Sequence, residues 1–243
     1  MFAVHYIWLV LKMSGMLFFR GILPYILAAL LIQFLSDRLR KRLADVLGRQ
    51  IFVFVTAPGV VVHELSHAAA CIIFRHSIAE MCLFSPRDDG TLGYVIHTYD
   101  PSCTYQRIGN FFIGVAPIIG GVSTLSILSS LLLPDNIAEN FFVMLSSKWF
   151  WSRCQTWLWF YASICVASHV TLSEEDLHGA ADGVALLVGV ILLFELLTAW
   201  DTEMQMVIST GLSRLFIVSL PSLVMSVVLM SVLLLILSLG RKR

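Results

Sequence analysis

Long runs of apolar residues follow one another along this chain, separated by short polar stretches. Residues 2–19 are apolar with Lys12 inside, a pattern for an interfacial helix or for the first part of a long tilted one. Met16 to Leu35 (MLFFRGILPYILAALLIQFL) is a better spanning candidate, because about 20 apolar residues in a helix cross the hydrocarbon core of a bilayer. The pattern returns at Ile51–Phe74, Asn110–Leu133, Trp149 to about Val170 and Val184–Trp200, and is clearest at Leu215–Gly240. Gly114, Pro117, Gly120 and Gly121 within Asn110–Leu133 predict close helix approach.

The polar stretches are of three kinds. Residues 36–50, SDRLRKRLADVLGRQ, set Arg38, Arg40, Lys41, Arg42 and Arg49 around Leu39, Leu43 and Leu47 at helical spacing. This reads as a basic amphipathic helix along a membrane surface, or as a solvated connector. Residues 75–108 form a polar insertion in which Asp89-Gly90 lies between strand-like runs, predicting a β-hairpin. TLSEEDLHGAADG concentrates acidic residues just before Val184. The expected fold is therefore an all-α multi-pass membrane protein of about five to six transmembrane helices with a small β-hairpin insertion, one membrane-embedded domain over residues 1–243.

Composition sharpens this. Only 13% of the 243 residues are charged and 58% are hydrophobic, whereas about a quarter of a soluble domain is charged. The net charge of zero gives no electrostatic reason to expect a nucleic-acid partner. Most of the five cysteines, which include no C-x-x-C pair, read as inert thiols in apolar runs; Cys82 and Cys103 flank a polar stretch within the insertion and would pair only in an oxidising compartment. No small-residue cleavage site follows the N-terminal run, and Lys12 and Arg20 interrupt it, so it is expected to stay as a membrane segment. Both the basic stretch and the Arg-Lys-Arg tail read as cytoplasmic, yet five spans between them would put them on opposite faces; a re-entrant or partly crossing segment would reconcile the two.

Candidate chemistry lies inside the run Ile51–Phe74. In PGVVVHELSHAAACIIF, His63 and His67 stand at i and i+4, so on a helix both imidazoles leave one face one turn apart, as two nitrogen ligands of a zinc ion must. Glu64 beside the first ligand is placed to hold the attacking water and take its proton, and zinc brings the pKa of such a water to about 7. Ionisable residues inside spans are rare and usually functional. Ala68–Ala70 leave room for a neighbouring helix, and Pro58-Gly59 is expected to open the backbone locally.

A third ligand must come from far along the chain. Glu139 follows a proline and Glu195 lies deep in an apolar run. The richest patch is SHVTLSEEDLHGAADG, residues 168–183, where Ser173-x-x-Asp176 is also a capping box. Capping and coordination are compatible, which favours Asp176, followed by His169 and Asp182.

HELSH in an early transmembrane helix, with a distal Asp opening a later one, resembles the site-2 protease-like membrane metallopeptidases. The resemblance implies Zn2+ held by His63, His67 and Asp176, Glu64 as general base, membrane protein or peptide substrates, and residence in a cell membrane of bacterial type. The family's usual distal Asn-Pro-rich stretch ending in Leu-Asp-Gly is replaced here by LSEEDLHG and, separately, Ala-Asp182-Gly183, which implies a divergent member.

Other readings use the same residues. A membrane peptidase with a Glu as third ligand would recruit Glu174 or Glu175. A transporter or assembly factor would use the cluster as an ion site or clamp, without need of a carboxylate placed to activate water. A zinc amidase acting on lipid is a fourth. The run GTLGYVIHTY offers either an edge to which an extended peptide adds as a strand or a plain lid. Within this region His97 reads as a surface histidine, and Asn110 as a helix cap or a donor to an oxyanion.

Overall fold

The computed structural model describes residues 2–16, 18–19, 23–133 and 146–198, with scattered positions from 201 to 238. The expected span at Leu215–Gly240, the basic tail and Glu139 lie outside or almost wholly outside the described residues.

The described chain is mostly helical with one two-stranded antiparallel sheet. In order it forms α1 (Phe2–Met16), α2 (Leu23–Leu47), α3 (Arg49–Val55), α4 (Ala57–Ile73), β1 (Ser77–Cys82), β2 (Tyr94–Thr98), α5 (Thr104–Leu132), α6 (Lys148–Ser152), α7 (Cys154–Ala167) and α8 (Glu174–Thr198). Among the described residues α5 alone is long and apolar enough to cross a membrane as one helix, with a mean hydropathy of 2.0. The pair α3 and α4 passes the same test together but is bent by 59°.

The bend has a local cause. Pro58 sits in the first turn of α4 and has no N–H for the carbonyl four residues back, so α3 closes at Val55 and a new helix starts. The carbonyl of Val55, left over at the break, accepts the Tyr161 hydroxyl at 2.8 Å from α7. Thr56 at the joint donates its hydroxyl to the Phe52 carbonyl at 2.8 Å.

Two expected boundaries move. The basic stretch is no separate surface helix; α2 runs unbroken from Leu23 through Arg38, Arg40, Lys41 and Arg42 to Leu47. No helix breaker stands between Leu35 and Leu47, the Ser36 hydroxyl is bonded to the Ala167 carbonyl, and Leu39 is fully buried with Ile32, Leu125, Val166, Ala167 and Val170. The run from Trp149 is cut at Arg153 into α6 and α7, with Phe150 and Trp159 buried against Leu133.

The expected hairpin is present, its strands joined across residues 83–93. A bulge at Ala79 breaks the register, Ile78 facing His97 and Glu80 facing Ile96. The hairpin does not project away from the helices. It folds back beside α3 and α4, bringing the Phe84 ring to 5.8 Å from that of Phe54, while Ile78 and Val95 pack on Ala70, Cys71, Ile113 and Ala116 of α4 and α5. Cys82 and Cys103 are both free thiols.

Candidate metal centre

α4 is buried on one stripe (Val60, Glu64, His67, Ala68, Cys71) and exposed on the other (Leu65, Ile72, Ile73), the pattern of a helix with one face on a core. His63 and His67 lie along the inner stripe with their Nε2 atoms 3.2 Å apart.

Asp176 reaches them from α8. The Ser173 hydroxyl accepts the Asp176 backbone N–H at 3.0 Å, and Asp176 Oδ2 accepts the Ser173 N–H at 2.8 Å, the reciprocal pair of a capping box. Capping leaves Oδ1 free, and it stands 3.0 Å from His67 Nε2; Oδ2 is 3.8 Å from His63 Nε2. Ligand atoms of His63, His67 and Asp176 all lie within 4.8 Å of one another.

Small residues on α5 permit this approach. A Cβ added at Gly114 would collide with the Asp176 carbonyl and stand 2.7 Å from the Ala180 Cβ. With hydrogen there instead, α8 packs directly on α5 and its first turn meets α4.

The other imidazole nitrogens identify the tautomers. His63 Nδ1 is 2.9 Å from the His169 carbonyl and His67 Nδ1 is 2.9 Å from the Ile113 carbonyl. A carbonyl only accepts, so each Nδ1 carries the hydrogen and each neutral ring presents an Nε2 lone pair to the other. Two lone pairs at 3.2 Å, with a carboxylate beside them, repel unless a metal cation lies among them or a proton on His67 Nε2 is donated to Asp176 Oδ1. Two nitrogens bound about 2.0–2.1 Å from a tetrahedral zinc stand about 3.3 Å apart, so the spacing fits that ion, and the two-His, one-carboxylate set is of the kind found in catalytic zinc sites.

The carbonyls that hold the rings are themselves accounted for. Pro117, inside α5, has no N–H to give Ile113 four residues earlier, so the Ile113 carbonyl is available to His67. His169 is held by its side chain, whose Nε2 donates to the Thr56 hydroxyl at 2.9 Å and whose ring stacks on Phe52. Its backbone carbonyl orients His63.

Glu64 is buried at 7% exposure and faces a cavity of about 850 Å³ whose wall also carries His63, His67, Asp176 and the stretch Thr91–His97. The hairpin runs close above it: a Cβ at Gly93 would lie 2.7 Å from Glu64 Cγ and 2.9 Å from the carbonyls of Cys82 and Leu83. The site can therefore hold a cation on one side and a water against Glu64 on the other, under a strand with free space along it.

Of the other residues considered from sequence, His169 contributes its carbonyl rather than its ring to this centre. Glu175 lines the cavity outside the converging cluster. Glu195 lies about 28 Å along α8 from Asp176 at 1.5 Å per residue. Asp182 is on α8, its side chain outside the described residues. Asn110 is no helix cap, because α5 begins at Thr104; its side chain is buried and lines the cavity. His97 is not a free surface histidine: its Nδ1 is 3.0 Å from Nδ1 of the buried His76, and it too lines the cavity. The pairing of Pro117 with Ile113 escapes a reading of helix spacing, although a proline four residues after a carbonyl is visible in the sequence. His76 carries no such local signal, since its partners come from β2 and α5.

No protein-family model, curated protein or solved structure matches the chain.

Proposed function

We propose that the chain is a zinc-dependent endopeptidase embedded in a membrane, hydrolysing peptide bonds of membrane-associated substrates in the manner of the site-2 protease-like enzymes it resembles. The observation that carries this reading is the convergence of His63, His67 and Asp176 within 4.8 Å beside Glu64 in one cavity.

His63, His67 and Asp176 would hold the zinc, which would supply a Lewis acid that lowers the pKa of a water beside Glu64. Glu64 accepts the proton of the attacking water and returns it to the leaving nitrogen, the work of a general base turned acid. Asn110, buried in the same wall, offers an amide N–H to the carbonyl oxygen of the bond under attack. The stretch Thr91–His97 offers backbone groups to an extended peptide beside Glu64.

Membrane embedding with about five to six spans is part of the proposal. It is supported by α5 and by the apolar residues the helices leave exposed, among them Phe54 at 67%, Ile72 at 71% and Leu131 at 74%. The bend at Thr56 suits a segment that enters the bilayer and turns within it, which would bring the two basic clusters to the same side. Asp176, rather than Glu174 or Glu175, is the carboxylate that meets both imidazoles.

The test uses the whole chain purified in detergent, its zinc content measured by mass spectrometry and its activity on fluorescein-labelled casein. One zinc per chain and cleavage by the wild type are expected, with Glu64→Gln keeping the zinc and losing turnover by at least about 100-fold. Undiminished cleavage by Glu64→Gln, or a wild type that binds no zinc, would sink the reading.

A further inference from the structure

His97 stands on the face of β2 that turns toward α4 and α5, as does Val95 two residues earlier, which packs on the Ala70–Ile113 cluster. Across from it β1 carries the bulge at Ala79, so that His97 pairs with Ile78 while its neighbour Ile96 pairs with Glu80.

A chain of hydrogen bonds determines what His97 presents. The Gln106 carbonyl, 2.8 Å from His76 Nε2, can only accept, so His76 carries its hydrogen on Nε2 and has a lone pair at Nδ1. His97 Nδ1, 3.0 Å from that lone pair, must be the donor. The neutral His97 ring then has its own lone pair at Nε2, on the side away from His76. His76 itself is buried and stacked on Tyr99, with ring centroids 5.1 Å apart at 17°, so it is a fixed anchor. Burial holds the His97 pKa below the ordinary histidine value, with His76 and then His67 acting in the same direction, so the neutral form prevails near pH 7.

The metal-site histidines need no further ring: His63 and His67 are oriented by the His169 and Ile113 carbonyls. His97 instead lines the same cavity from the strand side.

We propose that His97 is a substrate-binding residue whose Nε2 accepts a hydrogen bond from a main-chain N–H of the peptide in the cavity, and that His76 is its positioning residue. This deepens the peptidase reading and rests on it.

Two hydroxamates separate the contributions, because both grip zinc but only one carries peptide N–H groups: acetohydroxamate and an N-acetylated dileucine hydroxamate. Their affinities are measured by calorimetry on the zinc-loaded full chain in detergent. His97→Ala is expected to weaken the dileucine compound about tenfold, as loss of one buried hydrogen bond does, while acetohydroxamate changes less than twofold and one zinc per chain is kept. His97→Gln, which restores a carbonyl acceptor, is expected to recover part of the loss. His76→Phe, which frees the His97 ring, is expected to give an intermediate one. Equal weakening of both compounds, or a dileucine affinity unchanged in His97→Ala, overturns the role of His97 while leaving the peptidase reading in place. A wild type that binds neither zinc nor hydroxamate overturns both.

Discussion

Pro117 stands four residues after Ile113 on α5, and the carbonyl it deprives of a helical donor is the one that receives Nδ1–H of His67. A residue that would weaken a helix therefore helps orient a proposed metal ligand on another. Pro117→Ala supplies the missing N–H, and the Ile113 carbonyl then bonds within α5 in competition with His67. Ligand-orienting partners of this kind typically change metal affinity by about 10- to 100-fold, and an interior proline is about 3 kcal/mol less favourable than alanine in a helix. The expected outcome is zinc affinity weakened at least about tenfold, measured by competition with a chelator, with no fall in the melting temperature of the metal-free chain. An unchanged affinity would remove the carbonyl from the design of the site.

Asp176 has two tasks on two oxygens, and substitutions separate them. Ser173→Ala deletes the hydroxyl that accepts the Asp176 N–H; it should cost about 1 kcal/mol of stability, as lost caps do, with zinc retained. Asp176→Asn keeps an oxygen for the Ser173 N–H but gives up the charge facing His67. Its metal-free form should melt close to the wild type, and its zinc affinity should fall by more than about tenfold. Glu174→Ala and Glu175→Ala should retain zinc; loss of metal in either would move the third ligand to a glutamate.

How much of this was open to inspection in the sequence follows from the range of each interaction. HELSH is legible because two imidazoles at i and i+4 need only a helix to face one way. Ser173-x-x-Asp176 is legible as a cap for the same reason, and its place just before a later apolar run makes Asp176 a reasonable candidate ligand. The joint at Thr56 is half legible: Pro58 announces a break, but the angle depends on Val55 meeting Tyr161, 106 residues away in sequence. The continuity of α2 through residues 36–47 hides behind a change of composition, because apolar and basic halves share one uninterrupted backbone. The His76–His97 pair is not legible at all, since it depends on the register of β1 against β2 and on a bulge.

Helix packing places the proposed third ligand, and Gly114 is where it can be disturbed. Gly114→Ala puts a methyl group against the Asp176 carbonyl and Ala180, so α8 must withdraw from α5. Overpacking of this kind costs about 1–3 kcal/mol, and the first turn of α8 carries Asp176 with it. Zinc affinity should fall at least about tenfold together with stability. Loss of stability with affinity intact would mean that the first turn of α8 reaches the histidines without direct packing on Gly114.

Gly93 tests the general base by another route. The connection just before β2 passes so near Glu64 that a Cβ at this position would lie 2.7 Å from Glu64 Cγ, with the Cys82 and Leu83 carbonyls at 2.9 Å closing off the other direction. A rigid backbone on one side leaves the Glu64 side chain as the part that moves. None of the contacts that hold His63, His67 or Asp176 involves Gly93, so Gly93→Ala should keep zinc at one per chain. Displacement of a catalytic group by about 1 Å can reduce rate by about 100-fold, so turnover of labelled casein should drop by that order. The decrease belongs in kcat more than in KM, because the role proposed for Glu64 is on the water rather than on the bound peptide. Zinc lost along with activity would place the damage at the proposed ligands, and full activity would show that the hairpin lifts away from α4 during turnover.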